Sequence, residues 1–499
     1  MKKIITLLIL CFVTAAAFGI SLEKVSIVST ENGGNNDFVT KPVARHVKEA
    51  QYSWFDFSNK GAPDPYYEKC SISFDGKTYT GQVKVRGNWT TNYAKKSLRI
   101  KFDKKHNMFG LNNGSEFKNW VLLACYKDAS FLRDAVGFAM FRTMFPGYYS
   151  SDSRLVEVEV NGEYFGVYLL VEQQETKKNR INITEADEKN PDDTNIGYLI
   201  EFDAYNYTED PLNQFIINYQ GAIKDYNGAR AKGLTTGYSI KSDVYSRTQQ
   251  KFIDDYMNNL WKICYNAAYN KKYYRFNSSY KLEKYTPKGL TANEKAKNCV
   301  ASVIDLTSLA NMYIFSELVC DPDLYYSSFF MDIDFAQGKE PLLRFEAPWD
   351  FDSTMGNKRF CANSDDNFNG DISSMFAAIG QPDVNGSFGD GKRVNPWLVV
   401  FINCSWFQEL VKSQWALIDK ENLKSTITSL IDSYTDSAEF TAAFNATRTI
   451  WGIGENNAID ELNNVTAAAA YKSQAASAQY LKQWLLDRID AVDKIVKGL

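Results

Sequence analysis

The chain has 499 residues, of which 44% are apolar and 14% aromatic; this is enough to bury a large core and excludes a disordered polypeptide. Its formal net charge of -4 is small for that length, so no global field draws in nucleic acid or an anionic membrane, and any phosphate recognition must be local. With only two histidines, His46 and His106, and with no CxxC pair, GxxxxGK[ST] loop or GxGxxG after a strand, the sequence gives no support to a His-ligated metal, a Ser-His-Asp nucleophile, a P-loop or a dinucleotide fold.

Residues 1–19, MKKIITLLILCFVTAAAFG, run from positive charge to apolar to small, the order of a secretory signal peptide, so the mature chain is expected to start near residues 18–20. No later stretch reaches the roughly 20 apolar residues a membrane span needs, which predicts a protein that is soluble outside the cytosol, in the periplasm or at the cell surface. Seven cysteines remain after the leader, an odd number; Cys264 and Cys299 are a candidate disulfide pair, and the others suit burial as small hydrophobes. Residues 64–104 alternate apolar and polar positions around an Asp75-Gly76 turn signal and read as strands. Residues 128–145, DASFLRDAVGFAMFRTMF, switch to helical spacing. RLVEVEV, the Asn161-Gly162 turn and EYFGVYLLVEQQE form a hairpin, and GYLIEFD at 197–203 is expected to extend that sheet. Residues 204–250 are polar and turn-rich and read as an insertion or loose loop. Helices are predicted from about 250, over 306–320, around 397–437 and over 465–497, with a short strand pair, SSFFMDID and PLLRFEAPW, between the second and third of these regions. The layout is α+β: a β-rich part at about 50–205 and an α-rich part at about 250–499.

Chemistry concentrates in FEAPWDFDSTMGN, residues 345–357. Asp350 and Asp352 flank Phe351 behind Pro-Trp, and carboxylates among bulky apolar residues require a positive partner: an arginine, a lysine or a metal ion. Roughly 27 residues earlier, Asp321 and Asp323 follow a buried-looking helix. An acid at a helix end, a β-ribbon and then an acid after a strand is the order in which kinase-like folds place a catalytic base and a magnesium ligand. The same aspartates also suit helix caps and turns, and spacing alone leaves both readings open.

VRGNWTTNYAKKSLRIKFDKK, YKDASFLRDAVGFAMFR, SRLVEVEVNGEYFGVYLLVEQQE, GYLIEFD, ELVCDPDLYYSSFFMDID and PWDFDSTMGN follow one another in an order that resembles the CotH family of spore-coat-protein-H-like secreted atypical kinases. The resemblance implies a bilobal protein-kinase-like fold, with a β-rich N-terminal lobe, a mostly helical C-terminal lobe, and ATP with Mg²⁺ or Mn²⁺ between them. For active members it implies phosphoryl transfer to serine of a secreted or surface protein. By the same resemblance Asp350 is the metal-binding aspartate, Asp352 a second ligand and Asp323 the catalytic base. Ser328 falls where the family has a metal-holding asparagine. Arg86 and Lys96 are the basic positions facing the nucleotide, and Glu172 is expected to pair with Lys96. Strand parity places Lys96 on the face of Leu98 and Ile100, with Arg99 and Lys101 opposite; the competing reading is that Lys95, Lys96, Lys101, Lys104 and Lys105 form a solvated basic strand edge. Asp128 and Arg133 match family positions as well, although a helix cap and a surface salt bridge explain them equally well. The alternative function is a kinase-like but weakly active or inactive surface or assembly binding protein. A carboxylate-driven glycoside hydrolase is a third reading with little to order its site.

Overall fold

The computed structural model describes residues 22–31, 33–42, 66–87, 89–219, 222–231, 237–357, 372–382, 392–453 and 473–499. The leader, His46, Cys361 and most of the Gly/Asn-rich stretch after Asn357 lie outside the described residues.

Seven strands close into a barrel: β1 (Glu23–Ser29), β2 (Glu68–Phe74), β3 (Lys77–Arg86), β4 (Ser97–His106), β5 (Phe117–Leu123), β6 (Ser153–Val160) and β7 (Glu163–Glu172), in the order β1-β2-β3-β4-β5-β7-β6. The expected hairpins form where the sequence supplies left-handed turn residues, Asp75 (φ 51°) with Gly76 (67°) and Asn161 (50°) with Gly162 (83°). Closure is the work of β1, whose EKVSIVS alternation buries Val25 and Ile27. It pairs antiparallel with β2 and parallel with β6, so the sheet has no open edge left. The expected bilobal protein-kinase-like fold is therefore corrected: the N-terminal part is a closed seven-stranded barrel rather than the open β lobe of such an architecture, although the chain is α+β as expected.

Helix α1 (Arg133–Met144) lies between β5 and β6 in the chain. GYLIEFD forms β8 (Gly197–Asp203), but it does not extend the barrel. It is an inner strand of a second sheet with β9 (Gln214–Phe215), β10 (Gly237–Ile240) and a later strand, in the order later strand-β8-β10-β9. The segment read as a loose loop thus contributes two strands to this sheet and a separate pair, Ile223–Lys224 with Arg230–Ala231, each too short to show a period in sequence. After α2 (Arg247–Tyr265) and a shorter helix over Ala292–Ala301 comes α3 (Leu306–Val319), buried from Ser308 onward. A helix apolar all round has to be central. The later strand is β11 (Phe329–Asp334), and the expected partner strand reduces to one bridge, Asp332 to Arg344. Helices α4 (Ser405–Leu417), α5 (Lys420–Thr435), α6 (Ala438–Trp451) and α7 (Gln474–Gly498) complete the chain, with α7 packed on α3, α4, α5 and α6. Helix α6 docks on the barrel, where Thr447 Oγ1 accepts from Val167 N at 2.8 Å and fills the space beside Gly166. Among the described residues no helix is long and apolar enough to cross a membrane. Cys264 and Cys299 are both buried and free, so the candidate disulfide is not formed.

Helix α7 is tied to α3 by a fully buried ion pair. Arg488 donates to Glu317 Oε1 at 2.9 Å, to the Glu317 carbonyl at 2.7 Å and to the carbonyls of Ile372 and Ser374 at 2.6 and 2.7 Å. Glu317 also accepts from Ala377 N at 3.0 Å. Removing one partner leaves a buried charge unpaired. Arg488→Leu is expected to cost about 3–5 kcal/mol, read as a lowered midpoint in urea unfolding; an unchanged midpoint would refute this role for the pair.

Candidate functional site

Phe351 is the anchor of the Trp349–Asn357 segment. Its ring lies 5.4 Å from Phe138 of α1 and 5.6 Å from Phe315 of α3. Gly137 lets it come this close, since a Cβ there would sit 2.4 Å from the ring. The Phe351 amide donates to Asp134 Oδ1 at 2.8 Å. Asp350 takes φ 69°, a left-handed backbone that costs an L-residue roughly 1 kcal/mol and persists only where the surroundings impose it. Burying the phenylalanine thus holds the two flanking carboxylates within electrostatic reach of each other.

Lys127 is the cation at the centre. Its Nζ is 2.8 Å from Asp352 Oδ1 and donates to Ser353 Oγ at 2.8 Å. Burial alone would depress this ammonium, but Asp352, Asp323 and Asp350 outweigh burial and hold it well above its usual range. Asn357 Nδ2 donates to the carbonyls of Lys127 and Asp352 at 3.0 and 2.6 Å, closing the loop around the pair. Burial, then Asp352 and Asp323, push the Asp350 carboxyl up to about 7, against the pull of Lys127 and Arg86. Asp134 is pushed well up by burial and by Asp352 and Asp350; burial and Asp323 do the same to Asp321.

Asp128 and Arg133 form a buried clamp, not a surface salt bridge. Arg133 Nη1 meets Asp128 Oδ1 at 2.5 Å, while its Nε donates to the Thr354 carbonyl at 3.1 Å. The other Asp128 oxygen accepts from Arg133 N at 2.8 Å. This fixes the start of α1 to the residues that follow Asp352.

The structure brings Asp323, Asp350, Asp352 and Arg86 together. Arg86 lies over the Trp349 ring at 5.0 Å; burial pushes its guanidinium down, Asp350 opposes this and Arg99 adds to it. Ser328 (φ 62°) lines a small, partly open pocket with Asp321, Phe330, Trp349 and Phe351, and its amide donates to Glu201 Oε1 at 2.8 Å. Lys96 and Glu172 are not brought together. Lys96 is buried and donates to the Tyr93 carbonyl at 2.5 Å, and burial alone pushes it down to about 8, with no carboxylate contributing. Lys95 is buried too and donates to the carbonyls of Ala124 and Val167, so neither lysine belongs to a solvated edge, whereas Lys101, Lys104 and Lys105 are exposed. Glu172 pairs with Arg180 at 3.1 Å and accepts from Asn112 Nδ2 at 2.5 Å. The reason is geometric: Glu172 faces Trp120 across the β5–β7 ladder, where Arg180 reaches it first.

Sequence reasoning missed Lys127, Asp134 and Glu201. The available signal was charge in apolar company, in YKDASFLRDAVGF and in GYLIEFD.

Among the described residues no three His, Cys, Asp or Glu side chains converge closely enough to hold a metal unaided. The donor chemistry still fits a hard divalent cation: the carboxylates are in surplus over Lys127 and Arg86, and Mg²⁺ commonly takes one or two carboxylates and completes its shell with water and phosphate.

The family model described as CotH kinase protein matches residues 83–492, most of the chain. No curated protein matches the chain significantly.

The shift at Asp350 has a definite sign. Its carboxyl titrates near 3.8 when unperturbed and at about 7 in the folded protein. The folded state therefore keeps a proton that the unfolded state loses. The penalty is absent below the unfolded value, grows as pH rises and is complete above the folded value. With divalent cations chelated, Asp350→Asn is expected to gain melting temperature over the natural chain as pH rises from 4 to 8, measured by thermal unfolding followed by circular dichroism. Parallel pH profiles for the two proteins would contradict it.

Proposed function

The chain belongs to the CotH kinase protein family, and from that premise and the site geometry we propose that it is a secreted protein kinase transferring the γ-phosphoryl group of ATP to a serine hydroxyl of an extracytoplasmic protein. The observation that carries this reading is the surplus of carboxylates around Lys127 and Arg86, an arrangement that is costly unless a cation and an anionic ligand join it. Asp350 and Asp352 would hold a divalent cation, Mg²⁺ or Mn²⁺, whose chemistry is to neutralise charge on the phosphates. Arg86 pairs with phosphate oxygens. Asp323 accepts the proton of the serine hydroxyl as its oxygen bonds to phosphorus and ADP leaves. Lys127 holds Asp352 in place, and the Arg133 clamp fixes the loop that carries it. Export is supported by the charge-apolar-small order of residues 1–19.

A second reading is favoured by one feature. Ser328 stands where the family resemblance expects asparagine, and a hydroxyl is a weaker cation ligand than an amide oxygen. Under this reading the chain is a kinase-like binding protein with little or no transfer activity, acting at a surface or in assembly.

Incubation of the purified protein with ATP and Mn²⁺ or Mg²⁺, following phosphate incorporation into itself or a serine-rich protein, separates the two. The kinase reading expects transfer, lowered by about 100-fold or more in Asp323→Asn and abolished in Asp350→Ala. Absence of both transfer and nucleotide-induced stabilisation would defeat it. Transfer gained only in Ser328→Asn would favour the binding protein.

A further inference from the structure

The outer face of the barrel carries a row of cations beside the acid cluster. In the β3–β4 ladder Lys84 faces Arg99 and Arg86 faces Ser97, so Arg86, Lys84 and Arg99 share one face by the two-residue period, while Val85 and Leu98 share the other. Arg86 and Arg99 are diagonal neighbours on that face, and the Arg99 charge disfavours that of Arg86. Arg99 is poorly compensated. Its Nε is buried without a hydrogen-bond partner, and its nearest carboxylate, Glu175, stands 3.9 Å from Nη2. Glu175 is already committed to Arg180 at 2.8 Å and to Asn119. Lys84 lies 4.9 Å from the Tyr67 ring centroid, which leaves its ammonium on the same side. A guanidinium held this way, with a buried Nε that has no partner and an arginine diagonally beside it, is stabilised when an anion joins it. The row begins at Arg86, which interacts with Asp350 and Glu201, and leads away from them to Arg99 and Lys84.

We propose that Arg99, together with Arg86 and Lys84, forms the wall that seats the nucleotide's polyphosphate, and that Lys96 takes no part in it. The inference rests on the kinase reading and deepens it. A polyphosphate fits better than a lone carboxylate because diagonal positions on a sheet stand about 7–8 Å apart, a span that several linked anionic groups cover and one does not. The guanidinium of Arg99 is also the group suited to grip phosphate with two parallel hydrogen bonds. An acidic segment of the protein substrate would present related chemistry, and the test tells the two sources apart.

Titration calorimetry on the full chain with ATP, inorganic triphosphate, adenosine and a Glu-rich peptide, in the presence of Mg²⁺, reads the assignment directly. Arg99→Met is expected to weaken both ATP and triphosphate by about tenfold or more, to leave adenosine unaffected, and to keep the melting temperature close to that of the natural chain. Arg99→Lys keeps the charge and should recover part of the loss. Lys96→Met should lower the melting temperature and leave nucleotide affinity nearly unchanged. Unaltered triphosphate binding in Arg99→Met, or a loss confined to the acidic peptide, overturns the assignment and leaves the kinase reading standing. No binding of ATP or triphosphate by the natural chain overturns both.

Discussion

The contact between Phe351 and Gly137 is the constraint on which the site depends. A phenylalanine seated on the backbone of α1, between Phe138 and Phe315, fixes the dipeptide units on either side of it. Asp350 is thereby held in a left-handed conformation that an unconstrained L-residue avoids, and Asp352 is carried to within 2.8 Å of Lys127. Apolar burial supplies the free energy, of the order of 1.5–3 kcal/mol for a phenylalanine side chain; this is enough to impose one strained backbone position. Helix α1 serves as the common base, because it offers Gly137 to the ring, Asp134 to the Phe351 amide and Arg133 to the carbonyls beyond Asp352.

Electrostatics oppose what packing enforces. Among the described residues, Asp134, Asp321, Asp323, Asp350 and Asp352 interact with one another and with the cations Lys127 and Arg86. A core selected for stability alone would replace such a group with hydrophobic residues. The protein instead encloses it with a fully buried Asp128–Arg133 pair on one side and the Arg488–Glu317 lock behind α3 on the other. Strain held by so many independent contacts is the physical feature on which the proposed binding role of this cluster rests.

How much of this could be read in the sequence depended on the range of the interactions. The two hairpins were legible because Asp75-Gly76 and Asn161-Gly162 set their turns locally. Helix α3 was legible from its own apolar content. Barrel closure was not, since it depends on seven residues, Glu23–Ser29, finding partners in β2 and β6 far along the chain. The same holds for the site. Asp323, Asp350 and Asp352 could be ordered by position, but Lys127 reaches Ser353 across 226 positions, and no local pattern reports that contact. Strands of two to four residues such as β9 and β10 carry no period to detect, so the segment containing them read as a loop.

Strand parity decided which basic residues lie on the side of the acids. Along β3 and β4 every second side chain turns to the barrel exterior, which selects Lys84, Arg86, Arg99 and Lys101 together. Lys96, on the parity of Leu98, ends against the Tyr93 carbonyl inside the fold, where its depressed ammonium has no acid to meet. In an open sheet covered by helices on one side only, the inward face would be the one that meets the second half of the protein, and a lysine there would be the natural partner of the carboxylates. Closing the sheet reverses this. The inward face fills the barrel core, and the outward face is the one left to meet Trp349 and Asp350. The change from an open lobe to a barrel thus sets one group of basic residues against the carboxylates and turns the other group away from them.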